Sequence, residues 1–250
     1  MEHSPDLILN SARDELFAQS NYPKPFAFNK EVAEVFDNMV ERSIPLYEDV
    51  TKYVARWIHD FAADGGKIYD IGCSTGTTLL HIAQTLKEPT TLVGIDNAQA
   101  MIEKAREKTM RINSQHMIHF ICDDVMNIDI KDASAVVVNY TLQFLPIVNR
   151  QKLLNGIYEG LRPGGILFMS EKVRASCPEF QETTTRIYEN FKETQGYSRT
   201  EIEQKKEALD NVLVPLTEKE HHRCLEKAGF DSYESVMRWN TFLSIVAMKG

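Results

Sequence analysis

The sequence lacks the features of a membrane protein and of a disulfide-stabilised protein. No apolar run approaches the roughly 20 residues that a membrane-spanning helix needs, and the first residues carry neither the basic nor the apolar stretch of a signal peptide. Its four cysteines, Cys73, Cys122, Cys177 and Cys224, are widely spaced and form no Cys-x-x-Cys pair. Such spacing is typical of reduced thiols. We therefore predict a cytoplasmic protein without membrane contact.

An excess of positive charge is also missing. The chain has 28 Lys and Arg against 36 Asp and Glu, a formal net charge of −8, which argues against direct binding of nucleic acid. The histidines lack companions at metal-ligand spacing, so we expect no metal site and predict that they are solvated. These are His116, His119, His221 and His222.

Short apolar segments alternate with helical patterns in the middle of the chain. Strands are predicted at 67–71, 91–95, 118–122, 133–139 and 165–170. Helices are predicted between them at 77–86, 98–110 and 150–161. This alternation indicates βαβ units and a parallel sheet covered on both faces. Two last strands, 233–239 and 242–248, are separated by two residues only, which predicts an antiparallel hairpin.

Further helical patterns lie outside this alternation. Residues 1–25 are interpreted as a loose arm with a possible short helix at 11–20. Helices are predicted at 29–42, 47–62, 179–195, 199–212 and 217–228. The pair at 179–195 and 199–212 interrupts the β/α order, so we interpret it as an insertion. Thr217 and Glu220 have the spacing of a capping box, and Gly229 is placed to end that helix.

Polar side chains follow four consecutive predicted strands, where an open α/β sheet binds its ligands. They are Asp70 to Gly76, Asp96 and Asn97, Asp123 and Asp124, and Asn139 and Tyr140. Asp96, about two dozen residues after Gly72, is placed to accept both ribose hydroxyls. Asp124 is placed to accept from an adenine amine. Each aspartate alone could equally be a helix cap or a turn residue, but the set favours a nucleoside-containing ligand.

The glycine loop narrows the choice of nucleoside. Gly72 and Gly76 frame a strand-to-helix turn in which the backbone can pass close to a ligand. The Gly72-x-x-x-Gly76 spacing differs from the Gly-x-Gly-x-x-Gly pattern of dinucleotide-binding loops, so a pyrophosphate cofactor fits poorly. No Gly-Lys-Ser/Thr follows, which excludes a P-loop.

Several motifs resemble those of class I S-adenosylmethionine-dependent methyltransferases. They are Asp70-x-Gly72-x-Ser74-x-Gly76, Gly94-Ile95-Asp96-Asn97, Asp123-Asp124, Asn139-Tyr140-Thr141-Leu142-Gln143-Phe144-Leu145 and Leu161-Arg162-Pro163-Gly164-Gly165. The implied fold is α/β, with a Rossmann-like, mostly parallel sheet, an antiparallel C-terminal strand, N-terminal helices and a helical insertion before the last strands. Residues 1–64 would be an arm and helices packing on the core. Residues 65–250 would be the S-adenosylmethionine-binding domain, with the insertion at about 175–215.

A narrower set of segments is similar to the carboxy-S-adenosylmethionine synthase family. The first group is Val32-Ala33-Glu34-Val35-Phe36-x-x-Met39-x-x-Arg42-Ser43-x-Pro45-x-Tyr47, Asp70-Ile71-Gly72-Cys73-Ser74, Ile95-Asp96-Asn97, 139–145 and Ser170-Glu171-Lys172. The insertion adds Gly196-Tyr197-Ser198, Glu201-Ile202, Gln204-Lys205 and Leu209-x-Asn211-Val212. These segments span most of the chain, including the part that other methyltransferases do not share.

This resemblance implies a reaction and its partners. Members of that family convert S-adenosylmethionine and prephenate into carboxy-S-adenosylmethionine and phenylpyruvate. The product serves a tRNA carboxymethyltransferase that completes the 5-oxyacetic acid group of wobble uridine. A homodimer is implied, without a metal and without direct nucleic-acid binding. The inserted helices would be a lid that excludes water.

The motifs also imply which residues contact the ligand. No residue is an evident general base, and Cys73 has no histidine placed to make it a nucleophile. The implied contacts are Gly72, Cys73 and Ser74 for the methionine part, Asp96 and Asn97 for the ribose, Asp124 and Val125 for the adenine, Asn139 for the sulfonium centre, and Tyr47 from the N-terminal helices.

One position departs from the family pattern. The family has an arginine after Gln-Lys in the insertion, which reaches the added carboxylate across a dimer interface, and this chain has Lys206. Lysine keeps the charge but loses the bidentate fork; Arg199 or Lys205 could compensate. If Lys206 is only a solvated lysine, the chain would be an ordinary methyltransferase of a small molecule or RNA. A non-catalytic nucleoside-binding subunit is the other alternative. Glu171 and Lys172 form either a local ion pair or part of the pocket wall.

Overall fold

A seven-stranded sheet forms the centre of the computed structural model, which describes residues 11–18, 25–61 and 65–250. The strands are β1 (Lys67–Ile71), β2 (Thr91–Asp96), β3 (Met117–Cys122), β4 (Ala133–Asn139), β5 (Leu161–Lys172), β6 (Ser232–Trp239) and β7 (Phe242–Met248). Their order across the sheet is β3-β2-β1-β4-β5-β7-β6. Strands β1 to β5 pair in parallel, whereas β7 is antiparallel to both β5 and β6. The predicted α/β class and the terminal hairpin are confirmed.

Helices cover both faces of this sheet. They are α1 (Lys30–Ser43), α2 (Tyr47–Phe61), α3 (Thr77–Thr85), α4 (Gln99–Thr109), α5 (Ile147–Gly160), α6 (Pro178–Thr194), α7 (Arg199–Leu209) and α8 (Glu218–Ala228). On one face, Val54 and Ile58 of α2 pack with α3 against apolar strand residues. On the other face, Leu154 of α5 and Leu225 of α8 close a second cluster. Fully buried strands of this kind explain the nearly continuous apolar runs in the sequence. No helix in the described ranges has the length and apolarity to cross a membrane.

Helix caps agree closely with the sequence. The capping box of Thr217 and Glu220 is present at α8, and Gly229 ends that helix with a positive φ of 110°.

The fifth strand is longer than predicted, because residues from Leu161 onwards already pair with β4. The Arg162–Gly165 segment therefore lies inside β5, at a register shift where Gly164 has a φ of +76°. A left-handed glycine lets the strand bend without ending.

Three distant segments meet where the insertion packs on the N-terminal region. Asp14 is buried, and its carboxylate accepts from the hydroxyl of Tyr197 at 2.5 Å. Arg42 of α1 donates to the carbonyls of Asp14 and Gln195.

The described part of the predicted 11–20 helix, 11–18, contains only a turn, and the remainder lies outside the described residues. The division of the chain between residues 64 and 65 stays a prediction.

The prediction that the histidines are solvated is wrong for His116 and His221. His116 is 8% exposed and its Nδ1 accepts from the backbone N–H of Thr90 at 3.2 Å, while His221 on α8 is 1% exposed. Neither ring nitrogen of His221 has a hydrogen-bond partner in the described part of the chain. The apolar face of α8 packs against α5, and His221 lies on that face. Burial, with Arg150 nearby, lowers the pKa of His221 to about 4.

This burial predicts an acid-sensitive fold. Since the folded pKa is depressed, the unfolded chain binds the His221 proton more tightly, and stability is lost as pH falls from about 6.5 towards 4. Between pH 7 and pH 5 the loss is about 2 kcal/mol. Urea unfolding of His221→Leu should show a pH dependence that is smaller by this amount. His222→Leu, which replaces a half-buried neighbour, should retain the full dependence; equal slopes in all three proteins would contradict this origin.

Candidate functional site

A cavity of about 830 Å³ lies at the carboxyl ends of β1 to β5. Helices α1, α6 and α7 contribute the facing wall. All ten residues predicted for the ligand site line this cavity. The first and the last of them, Tyr47 and Lys206, are 159 positions apart in the sequence. The ten residues are Tyr47, Gly72, Cys73, Ser74, Asp96, Asn97, Asp124, Val125, Asn139 and Lys206. What each of them binds stays a prediction.

The loop between β1 and α3 forms the floor of this cavity. Gly72, Ser74 and Gly76 all have positive φ angles, of 70°, 47° and 78°. The backbone N–H groups of Gly72 and Cys73 both donate to the carbonyl of Ile95, at 2.7 and 3.0 Å. A Cβ atom on Gly72 would lie 2.3 Å from the Oγ1 atom of Thr141. The glycine is thus needed for conformation and for close approach of two chain segments.

Gly72→Ala should therefore weaken S-adenosylmethionine binding by at least about tenfold, because the loop must move away from Thr141. Gly164→Ala is the matched control: its φ is +76°, but no described atom lies within 4 Å of a Cβ built there. Both variants carry left-handed strain and only Gly72→Ala carries the clash. Calorimetric titration measures the two affinities. Similar affinities for the two variants would show that the Thr141 contact is unimportant.

A buried ionic cluster supports the loop from behind, and sequence reasoning missed it. Asp37 of α1 pairs with Lys108 of α4, with 2.5 Å between Oδ2 and Nζ. The hydroxyls of Thr75 and Thr77 donate to Asp37 at 2.6 and 3.2 Å. In the sequence, this cluster is marked only by two threonines, Thr75 within the loop and Thr77 at the start of α3. It fixes the start of α3, where the cavity floor ends.

Aspartates concentrate at one end of the cavity. Asp96 accepts from the backbone N–H of Ser74 at 3.0 Å and of Ala98 at 2.9 Å, so it holds the loop and the start of α4 together. Burial raises the pKa of Asp70 to about 7, with a further contribution from Asp96. Oδ2 of Asp70 and Oδ1 of Asn139 are buried without a hydrogen-bond partner among the described residues. Both residues line the cavity, so these oxygens fit a ligand that brings donors or positive charge, as S-adenosylmethionine does.

Asp124 caps a short helix and also lies on the cavity wall, while its predicted contact with an adenine amine stays a prediction. Its Oδ1 accepts from the N–H of Met126 at 2.9 Å and caps a short 3-10 helix, Val125–Asn127. The same residue lies on the cavity wall with Val125 and Asn97. A capping role and a position at the ligand site are therefore compatible here.

Cys73 is buried within the loop, and its Sγ lies 2.9 Å from where a Cβ on Gly94 would be. Burial and the nearby Asp70 raise its pKa well above the usual value. A thiol held neutral is a poor nucleophile, which agrees with its interpretation as a small loop residue. Among residues 11–18, 25–61 and 65–250, no group of three or more His, Cys, Asp or Glu side chains is placed to hold a metal ion.

Glu171 and Lys172 at the end of β5 do not form a local ion pair. The Glu171 carboxylate accepts from the backbone N–H groups of Leu142 and Gln143, at 2.8 and 3.0 Å. Burial raises its pKa to about 8, while these N–H groups and Arg150 oppose that shift. Lys172 points the other way along the pleat and lines the cavity. The pocket-wall interpretation therefore holds for Lys172, and Glu171 anchors the turn after β4.

Lysines concentrate at the opposite end of the cavity. Lys172, Lys192, Lys205 and Lys206 all line it. Lys206 pairs with Glu189 at 3.1 Å, and Lys205 is buried beside Ser43 at 2.8 Å and Asp14 at 3.4 Å. Arg199, by contrast, extends into solvent and pairs with Glu193. Of the two residues considered as substitutes for the family arginine, only Lys205 is on the cavity wall.

Comparison with known proteins agrees with this geometry. Residues 68–165 match a family model described as a methyltransferase domain. A carboxy-S-adenosyl-L-methionine synthase from Trichodesmium erythraeum is 51% identical over 98% of this chain and 96% of its own. The enzyme of the same name from Campylobacter curvus is 41% identical over 95% of this chain and 100% of its own. Magnesium protoporphyrin IX methyltransferase from Synechocystis, solved with bound SAH, shares the fold with a TM-score of 0.58 at 13% identity, covering 85% of this chain and 87% of its own.

Proposed function

Since the chain belongs to the carboxy-S-adenosyl-L-methionine synthase family, we propose that it transfers the carboxyl group of prephenate to the methyl group of S-adenosylmethionine. The products are carboxy-S-adenosylmethionine and phenylpyruvate. The protein is thus a transferase on a methyltransferase scaffold.

The observation that carries this proposal is the separation of charge within one cavity. Asp70 and Asp96 lie at the ends of β1 and β2, where they suit the cationic, hydroxyl-bearing S-adenosyl group. Lys172 and Lys192 lie at the other end, where they suit an acid. An ordinary methyltransferase needs an acceptor nucleophile at this second position. A cluster of cations is the arrangement expected for an anionic second substrate.

The overall reaction balances without a redox partner. S-adenosylmethionine supplies a methyl group that its sulfonium makes acidic. That methyl loses one proton and gains the carboxyl group. Prephenate loses its ring carboxyl and its ring hydroxyl and becomes aromatic, and the proton and the hydroxyl leave as water. The residues of this chain bind and orient both molecules and exclude water beneath α6 and α7.

Other expectations are proposed on the family relationship alone. We propose a homodimer and a functional link to a tRNA carboxymethyltransferase that uses the product. In this scheme Gly72, Cys73 and Ser74 contact the methionine part, and Tyr47 contacts the ligand from the N-terminal helices. The remaining predicted residues take the roles that their motifs imply. A cytoplasmic location stays a prediction.

An isotope experiment tests the reaction. Purified protein is incubated with S-adenosylmethionine and prephenate labelled with ¹³C in the ring carboxyl group, and the nucleoside products are analysed by mass spectrometry. We expect a species heavier than S-adenosylmethionine by one labelled carboxyl group, with one phenylpyruvate formed per product. Binding of S-adenosylmethionine without turnover of prephenate would contradict the proposal and favour an ordinary methyltransferase. No affinity for either would favour a non-catalytic subunit.

A further inference from the structure

Two of the lysines in the cavity have no anionic partner of their own. Lys172 at the end of β5 and Lys192 on α6 both place their ammonium groups near the ring of Tyr188, at 4.5 and 4.6 Å from its centroid. Within the described ranges, neither ammonium group forms a hydrogen bond or an ion pair with a carboxylate. Lys192 is 6% exposed, so its side chain is buried without an ion pair of its own. Buried charges in proteins are normally paired.

The other two lysines of the cavity, Lys205 and Lys206, do have anionic partners. Lys205 has Asp14 and the hydroxyl of Ser43, and Lys206 has Glu189. The ring of Tyr188 is fixed by its own hydroxyl, which donates to the carbonyl of Ser43 at 2.8 Å. Lys172 and Lys192 therefore face a rigid aromatic surface and the cavity. Cation–π contact stabilises them only in part, since it supplies about 0.5–2 kcal/mol.

Position in the sheet separates these lysines from the S-adenosyl end. Asp96 is the last residue of β2 and Lys172 is the last residue of β5, and the strand order between them is β2-β1-β4-β5. Three strand spacings place them roughly 14 Å apart across the sheet. Asn139, which the motifs place near the sulfonium, ends β4, one strand before Lys172. The two lysines thus lie beyond the reacting methyl group, away from the nucleoside.

On this geometry, and on the proposed function, we propose that Lys172 and Lys192 together bind the carboxylate that the second substrate retains, the one on its 2-oxo-acid side chain. The carboxyl group that is transferred must lie at the methyl group, nearer to Asn139. It must also lose its negative charge as it leaves, so a pair of unscreened cations around it would oppose the reaction. The retained carboxylate keeps its charge throughout, and pairing with the lysines orients the molecule without that cost.

The charges around Lys172 and Lys192 should make anion binding depend on pH. Burial, then Lys206, lowers the pKa of Lys172 to about 8. Burial, then Lys172, lowers that of Lys192 to about 7, with Lys205 and Lys206 adding to the effect and Glu189 opposing it. An incoming carboxylate favours the protonated forms, so binding takes up protons and weakens as pH rises. Tyr188, whose pKa burial raises, stays neutral throughout.

The test uses phenylpyruvate, which keeps the side-chain carboxylate and lacks the transferred one. Its Kd is measured by calorimetry on protein loaded with S-adenosylhomocysteine, and the KM for prephenate is measured where turnover occurs. In Lys172→Met and Lys192→Met we expect each value to rise at least about tenfold. The Kd for S-adenosylhomocysteine should stay within about twofold. Lys172→Arg and Lys192→Arg should recover most of the loss. Lys131→Met, which removes an exposed lysine paired with Asp129, is the matched control.

Each outcome decides the proposal. An unchanged Kd for phenylpyruvate in the methionine variants would overturn it, and so would equal weakening of S-adenosylhomocysteine binding. If the variants do not fold, the unmodified protein gives the answer: its affinity for phenylpyruvate should fall at least about tenfold between pH 7 and pH 9, and a flat profile would overturn the proposal.

Failure of the proposed function is visible separately. If the unmodified protein binds phenylpyruvate through the two lysines but does not turn over prephenate, the anion site stands and the reaction does not. If prephenate is the carboxyl donor but the lysine variants keep their KM for prephenate, the proposed reaction is supported and the assignment of the two lysines is wrong.

Discussion

Replacing Asp96 with alanine is expected to lower the affinity for S-adenosylmethionine at least about 100-fold. Each carboxylate oxygen of Asp96 already accepts one backbone N–H, from Ser74 and from Ala98. A carboxylate oxygen has a second acceptor position, so the side chain can hold both ribose hydroxyls without releasing the loop. Alanine removes two charge-assisted contacts to the ligand and leaves both backbone donors unpaired.

Calorimetric titration with S-adenosylmethionine measures this loss, and circular dichroism at the same temperature verifies that the variant is folded. Asp129→Ala removes an exposed carboxylate and is the control for net charge. Its affinity should match that of the unmodified protein. A folded Asp96→Ala protein that binds within about threefold of normal would show that Asp96 serves the loop and not the ribose.

Glu171→Ala is expected to have the largest effect on stability. The carboxylate holds two buried N–H groups in the turn after β4, and Arg150, 1% exposed, is close enough to oppose the rise in its pKa that burial causes. Removing it leaves two orphaned donors and a buried guanidinium with less compensation. We expect the free energy of unfolding to fall by about 3 kcal/mol or more, and Tm by roughly 6–12 °C.

Thermal and urea unfolding measure this change. Glu171→Gln, which retains one acceptor, should lie between the two proteins. Glu159→Ala, at an exposed position on α5, should change stability by less than about 0.5 kcal/mol. If Glu171→Ala unfolds like the control, the turn is held by Arg150 and its contacts to the carbonyls of Gln143 and Leu145 alone.

The parts of the fold that depend on local chemistry were predictable. Period-two and period-3.6 patterns locate strands and helices, and Thr217 with Glu220 marks a helix start to the residue. The departures arise from tertiary contacts. Phe61 has the spacing of the other apolar residues of α2, yet it is 39% exposed, whereas Ile58 is fully buried. His221 sits on a polar-looking helix, yet that face packs against α5.

The candidate site also has a part that local patterns predict and a part that depends on tertiary contacts. The aspartates and glycines follow strand ends, so a single strand pattern places them in one row. Lys192 lies within an ordinary amphipathic helix, and nothing in its neighbours along the chain indicates that α6 crosses over the end of β5. The distinction between Lys172 and Lys206 is equally invisible, because it depends on which lysine Glu189 reaches.

The place of β7 in the sheet has a consequence for synthesis on the ribosome. This strand consists of residues Phe242–Met248, yet it lies inside the sheet, between β5 and β6. A nascent chain can assemble β1 to β4 early, but one edge of β5 stays without its partner until β7 has emerged. Phe242, which lines the cavity, arrives at the same time. The binding site is therefore completed only after β7 has been made, and chains that lack β7 expose a β5 edge that can pair with other chains.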